Sequence, residues 1–136
     1  MRFGERATVR KWVSHLKKKG YLDWIAWFLA QEVALTAAML ELGVDIHVNN
    51  DKALFYTIVN QRLKLLKYLV VHGINIHVNH EEGLRFAAEG GYSKIVEYLV
   101  IECGAKVDLI HVRAAQDNSH PKVAAFLRRH WKRDGS

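Results

Sequence analysis

Two consecutive segments of this chain are copies of one another, and this repeat limits the fold more than any other feature. Residues 43–72 align with residues 73–102 without a gap. The identical pairs are Gly43/Gly73, Ile46/Ile76, His47/His77, Val48/Val78, Asn49/Asn79, Leu54/Leu84, Lys64/Lys94, Tyr68/Tyr98, Leu69/Leu99 and Val70/Val100. A period of about thirty residues is typical of stacked repeats, whose units bury their apolar faces against their neighbours. Such proteins usually act as binding surfaces, so the repeat favours binding over catalysis.

Composition predicts one soluble domain. The chain has 136 residues, 50% of them apolar, and a single proline. Cys103 is the only cysteine, which excludes an internal disulfide and favours a reducing compartment. The longest apolar stretch, Ile25–Leu29, is too short for a membrane span, and the charged N-terminus lacks an apolar signal-peptide core. We therefore expect a cytoplasmic protein without membrane association.

Each copy predicts a turn, a short helix, a tight turn and a longer helix. In the second copy, Leu84, Ala87 and Ala88 form the small apolar stripe of a first helix of about two turns. The glycines at 90–91 end it, because glycine readily adopts positive φ. Residues 94–101 predict the second helix, with its apolar side chains on one face.

The second copy, GLRFAAEGGYSKIVEYLVIECGA, resembles the ankyrin repeat. It matches the family's leucine, paired alanines, helix-breaking glycine, aliphatic pair and terminal glycine-alanine. The first copy has Thr57 and Ile58 at the paired-alanine positions and Gln61 at the glycine. Of the family's threonine-proline-leucine-histidine signature only Leu84 remains, with Arg85 in place of the histidine. The short period and the opening GVDIHVNN look like the ankyrin arrays of giant DNA viruses, and imply short turns in place of β-fingers.

The resemblance implies an all-α fold, an ankyrin-like helical repeat solenoid of about three to four repeats with an N-terminal capping helix. We expect residues 1–20 to form this basic capping helix and residues 21–136 to form the array. The approximate units are 22–42, 43–72, 73–103 and 104–131.

Charge is unevenly distributed along the chain. Residues 1–20 carry seven Lys or Arg and one Glu, residues 21–121 carry eight basic and twelve acidic residues, and residues 122–136 carry five and one. The repeat body is therefore acidic and both ends are basic. The basic ends fit polar caps, and alternatively a contact for nucleic acid or an acidic partner. The strongest basic clusters, Lys17–Lys19 and Arg128–Trp131, match no nucleic-acid-binding motif.

Eight histidines suggest a metal site, but their spacing argues against one. His47 and His77 occupy equivalent positions, which helix packing in neighbouring repeats holds about 8–10 Å apart. His77 and His80 form an H-x-x-H pair with no adjacent cysteine to complete the four ligands that zinc usually needs. We expect His47 and His77 to hydrogen-bond the backbone of the next repeat, and we predict no metal. Cys103 lies at a helix end, where the dipole disfavours a thiolate, so we predict no enzyme and no cofactor.

Trp24, Trp27 and Phe28 lie on one face of a predicted helix. Packing against the capping helix explains this cluster, and self-association is the alternative.

If the resemblance holds, turn residues and the exposed side of the first helices bind a partner. These residues are Asn49, Asn50, Asp51, Lys52, Tyr56, Val59 and Asn60 in one unit, Asn79, His80, Glu81, Glu82, Phe86 and Glu89 in the next, and Arg113, Gln116 and Asp117 in the last. We expect Tyr56, Phe86 and Arg113 to form a ladder of the residue types that dominate interface energies. The predicted function is to bind, and thereby inhibit or scaffold, another protein, for instance a host factor if the viral likeness reflects origin. The alternative is a nucleic-acid-associated or acidic-partner-binding factor that uses the basic ends.

Overall fold

The computed structural model describes residues 11, 18, 20, 25–27 and 30–131, and these residues form helices and turns without a β-strand. In chain order the helices are α1 (Val33–Glu41), α2 (Val48–Asp51), α3 (Ala53–Val59), α4 (Leu63–Val71), α5 (Val78–Gly90), α6 (Ser93–Glu97), a π turn (Tyr98–Glu102), α7 (Leu109–Asp117) and α8 (Pro121–His130). The predicted all-α fold is confirmed. Most of the predicted capping helix, residues 1–20, lies outside the described residues, and the predicted unit bounds stay predictions.

The described residues divide into two compact units. The first contains those up to Thr57 together with Lys64–Asn75, and the second contains Ile58–Leu63 and those from Ile76 onward. The buried residues of the first unit include Ile25, Ala26, Ala30, Ala38, Met39, Ala53, Leu54, Leu65, Leu66 and Leu69. Thr57 also lies in this core, at a position where the ankyrin repeat has alanine. Its hydroxyl donates to the Ala53 carbonyl at 2.8 Å, which removes the cost of burying it.

In the second unit, α5 packs against α6 and α7, and α8 packs against α6 and α7. The core is formed by small and branched side chains, namely Leu84, Ala87, Ala88, Ile95, Val96, Leu99, Val112, Ala115, Val123, Ala124 and Leu127. The predicted stripe of Leu84, Ala87 and Ala88 is thus confirmed as the buried face of a first helix. Pro121 begins α8, where the missing N–H of proline has no intrahelical partner to lose.

The second copy, counted from Gly73 to Gly104, is one residue longer than the first, counted from Gly43 to Gly73. The π turn accommodates the extra residue. After α4, the Ile74 N–H donates to the Leu69 carbonyl at 3.0 Å. The equivalent bond after the π turn joins the Ala105 N–H to the Leu99 carbonyl at 2.9 Å, one residue further along. A wider helical turn therefore lets the same carbonyl close both helices.

Candidate binding surface

A left-handed stretch of backbone precedes the regular part of each first helix, and it includes α2 and the first residues of α5. Asn49, Asn50 and Asp51 have φ of 53°, 59° and 59°, and the residues at 79–81 repeat this with 55°, 56° and 63°. L-residues enter this region at a cost of about 1–2 kcal/mol each, and Asn and Asp tolerate it best. We call these segments the Asp51 turn (residues 47–51) and the Glu81 turn (residues 77–81). Both are short, as the resemblance implied.

In the Asp51 turn, one buried carboxylate holds the backbone together. Asp51 Oδ2 lies 2.8 Å from His47 Nδ1. The same oxygen accepts the Asn75 N–H at 2.7 Å. Asp51 is only 7% exposed, so it acts as a structural residue and is not available to a partner. This corrects the expectation that Asp51 lies on the binding surface.

The Glu81 turn repeats the first of these bonds and lacks the second. His77 Nδ1 contacts Glu81 Oε1, but Oε2 is buried without a hydrogen-bond partner among the described residues. The Glu81 carbonyl accepts from His111 Nε2 at 3.1 Å. Glu81 is half-buried, and its side chain bonds within its own turn.

The prediction that His47 bonds the backbone of the next repeat is wrong, because its ring contacts the carboxylate of Asp51 in its own turn. The ring of His77 makes the equivalent contact with Glu81, and a bond from His77 to the next repeat stays a prediction. A polar side chain does bond the backbone of a following segment, but it is Asp51. Both histidine side chains are about half exposed where they contact the local carboxylate.

The last unit replaces the left-handed turn with a capping box. The Asp108 side chain accepts from the backbone of His111, and the Asp108 N–H donates to His111 Nδ1 at 2.9 Å. Because Nδ1 accepts, Nε2 carries the ring proton and donates it to the Glu81 carbonyl. His111 is 1% exposed, and this burial lowers its pKa from the ordinary 6.5. A neutral histidine therefore joins α7 to the Glu81 turn.

Three predicted site residues of α5, Glu82, Phe86 and Glu89, form a cluster with Arg85. Arg85 Nη1 lies 2.8 Å from Glu89 Oε1, and Nη2 lies 3.4 Å from Glu82 Oε1. The Arg85 guanidinium is 5.0 Å from the centre of the Phe86 ring, and all four residues are half-buried. Sequence reasoning missed Arg85, although its spacing of three and four residues from two glutamates is a signal for such pairs.

The remaining predicted residues differ in exposure. Exposed are Asn49, Asn50, Val59, Asn60, Asn79, His80, Arg113, Gln116 and Asp117, and half-buried are Lys52 and Tyr56. Arg113 lies on α7, which packs against α5, so the second unit brings this helix together with the one that carries Phe86. Trp27 is 38% exposed, while Trp24 and Phe28 lie outside the described residues.

Neither a metal site nor a reactive thiol emerges from the part of the chain that the structure describes. No group of three or more His, Cys, Asp or Glu side chains there could hold a metal ion. Burial raises the pKa of the Cys103 thiol, which favours its protonated form. Burial and the hydrogen bond with Cys103 raise the pKa of Tyr98 to about 12. Among the described helices, none has both the length and the apolar character to cross a membrane.

The family model for ankyrin repeats, in three copies, matches residues 18–111. The chain belongs to the ankyrin repeat family, and the predicted fold class, an all-α repeat solenoid, is confirmed with it. Ankyrin repeats are generally protein–protein interaction modules without catalytic activity. No curated protein and no solved structure matches the chain.

Proposed function

We propose that this protein binds a partner protein through the outer face of its first helices and the adjoining turns, and that it inhibits or scaffolds this partner. The cluster of Phe86 and Arg85 on α5 is the observation that carries the proposal. An aromatic ring under a guanidinium presents the two side-chain types that most often dominate interface energies. In this proposal, binding is itself the activity.

Pre-organisation supports the same surface. Glu82 and Glu89 hold the Arg85 guanidinium from both sides, so the ring of Phe86 and the cation keep one arrangement before a partner arrives. A surface whose side chains are already ordered loses less conformational entropy on binding. Arg113 on α7 adds an exposed cation in the same unit. We place this binding in the cytoplasm, where a single unpaired cysteine is compatible with the reducing conditions.

The experiment is a tagged pull-down from lysate of the native source, with and without nuclease, followed by affinity measurement with the purified partner. We expect a discrete protein that survives nuclease and high salt. Arg113→Ala and Phe86→Ala should each weaken binding by about 2 kcal/mol, which is about thirtyfold in Kd.

Lys94→Ala is the matched control, since Lys94 is an exposed residue of the second helix α6. It should leave the affinity unchanged. Phe86 is half-buried, so a thermal melt must show that Phe86→Ala is folded, and Arg113→Glu provides a second, fully exposed change. Equal affinity of all variants would contradict binding through this face.

A nucleic-acid or acidic partner is the second candidate, favoured by one observation. The last turn of α8 carries Arg128, Arg129 and His130. Recovery that collapses on nuclease treatment, with affinity falling steeply between about 50 and 200 mM salt, would establish this candidate.

A further inference from the structure

A groove of about 260 Å³ lies between α6 and α8 in the second unit, away from the first-helix face. Its floor is apolar, because Val96 and Val123 are buried at 1% and 4% exposure and Phe126 is half-buried beside them. Ligand pockets for small molecules usually enclose about 300–1,000 Å³. This groove is therefore sized for an individual side chain of a partner and not for a free metabolite.

Two cations stand on one rim of the groove. Lys122 and Arg129 are exposed and lie seven residues apart on α8, which is about 10.5 Å along a helix axis. Neither forms an ion pair with any residue in the described part of the chain. The Arg129 guanidinium lies 5.9 Å from the centre of the Phe126 ring, at the edge of the apolar floor. Charge and apolar surface therefore occur side by side.

The opposite rim limits what can bind. Ser93 and Glu97 on α6 offer a hydroxyl and a carboxylate. A nucleic-acid backbone would gain from Lys122 and Arg129, but it would meet the Glu97 carboxylate and leave the apolar floor uncovered. A peptide can place an apolar side chain on the floor and carboxylates only at the α8 rim.

We propose that this groove docks a segment of a partner protein in which an aliphatic side chain is flanked by two carboxylates about 10 Å apart. An extended peptide reaches that distance in about three residues and a helix in about seven. The aliphatic side chain fills the floor, and the carboxylates pair with Lys122 and Arg129. The groove is a second contact on the second-helix side, so the protein holds this segment independently of a partner on the α5 face.

The test pans the full chain against a phage-displayed library of random 12-residue peptides. Enriched peptides are synthesised with a fluorescein label, and their Kd is measured by anisotropy. We expect acidic-aliphatic sequences that bind the wild type and lose about tenfold or more in affinity with Lys122→Glu/Arg129→Glu, because the rim then repels carboxylates. Lys94→Glu is the matched control, as it reverses an exposed charge on α6 outside the groove. It should leave Kd unchanged.

A second double variant, Lys122→Gln/Arg129→Gln, removes the charges without reversing them, and thermal melts confirm folding of each variant. The affinity of this Gln variant for the peptides should fall by less than the affinity of the Glu variant. Panning without acidic-aliphatic enrichment, or enriched peptides that bind all variants equally, would overturn the proposal. The proposal would also be overturned if a labelled single-stranded 12-nucleotide DNA displaced the peptide and lost affinity equally in the Lys122 and Arg129 variants. The site would then bind phosphate. Phe86→Ala should not affect the peptide, which separates this groove from the α5 face.

Discussion

At residues 49–51 and again at 79–81 the backbone takes the same left-handed path, yet the two turns use their carboxylates differently. Asp51 is short and buried, and one oxygen serves both His47 and the Asn75 N–H. Glu81 is one methylene longer, pairs with His77, and leaves its second oxygen buried without a partner among the described residues. In the Glu81 turn it is the main-chain carbonyl that bonds to a later segment, through His111.

The repeated turn therefore keeps its backbone conformation, while a different residue provides its stabilising hydrogen bond in each copy. In the first case the side chain at the third left-handed position provides the link to a later segment. In the second case a buried histidine of a later helix provides it.

Removal of the histidine link should have the largest effect. His111→Ala leaves the Glu81 carbonyl and the Asp108 N–H without this partner and opens a cavity at a fully buried site. We expect the free energy of unfolding to fall by about 3 kcal/mol. Urea denaturation measures it, with His72→Ala, at an exposed histidine, as the control that should cost far less. A loss below 1 kcal/mol would show that His111 does not support the turn.

The two carboxylates should differ when each is truncated. Asp51→Ala removes the acceptor of the Asn75 N–H and the partner of His47 from a buried site, and should cost about 2 kcal/mol. Glu81→Ala removes the solvent-exposed bond to His77, and it also removes the buried oxygen Oε2, which has no partner among the described residues. We therefore expect the free energy of unfolding to fall by less than about 1 kcal/mol. Asp117→Ala, at an exposed site, is the control. Equal losses at positions 51 and 81 would mean that the difference between the turns has no energetic consequence.

The residue with positive φ that ends the first helix differs between the two copies, and substitution can exchange the two residue types. Gln61 has φ of 55° where the second copy has Gly91 with φ of 70°. Gly91→Ala adds a Cβ 2.4 Å from His120 Nδ1 and adds left-handed strain, so we expect a loss of about 1–2 kcal/mol. Gln61→Gly relieves strain and should raise stability by about 0.5 kcal/mol. Thermal melts of both variants check these opposite signs. The same sign for both would contradict the strain argument.

The smallest expected effect is on pH dependence. Burial holds the pKa of folded His111 below the ordinary 6.5, so the unfolded chain binds more protons as the pH falls through 6.5. The free energy of unfolding should therefore decrease from pH 7 towards the lower folded-state pKa. His111→Leu, which replaces the ring with an apolar side chain that does not titrate, should flatten that decrease when urea curves are compared at pH 7 and 5.5. An unchanged slope would show that His111 does not titrate differently on folding.

Several elements were predictable because their signal is local. The stripe of Leu84, Ala87 and Ala88 indicated the buried face of α5, and the glycines at 90–91 indicated its end. The helix order of each copy followed from the same periodicity. The candidate surface was predictable only in part. Arg113 is exposed and Phe86 is half-buried, whereas Asp51 was assigned to the surface and is buried.

The sequence alone determined the repeat and the helices, because apolar residues recur with the helical period in each copy. The ankyrin family was indicated by the resemblance of residues 83–105 to its repeat. The sequence also indicated a turn in each copy, but the left-handed backbone of residues 49–51 and 79–81 appears only in the structure. Tertiary structure decided the role of each polar side chain. Asp51 and Asn75 are 24 residues apart, and His111 and Glu81 are 30 apart, so only folding brings their atoms within hydrogen-bond distance. The groove between α6 and α8 has the same origin, because its floor and its rim come from two helices that meet only in the packed unit.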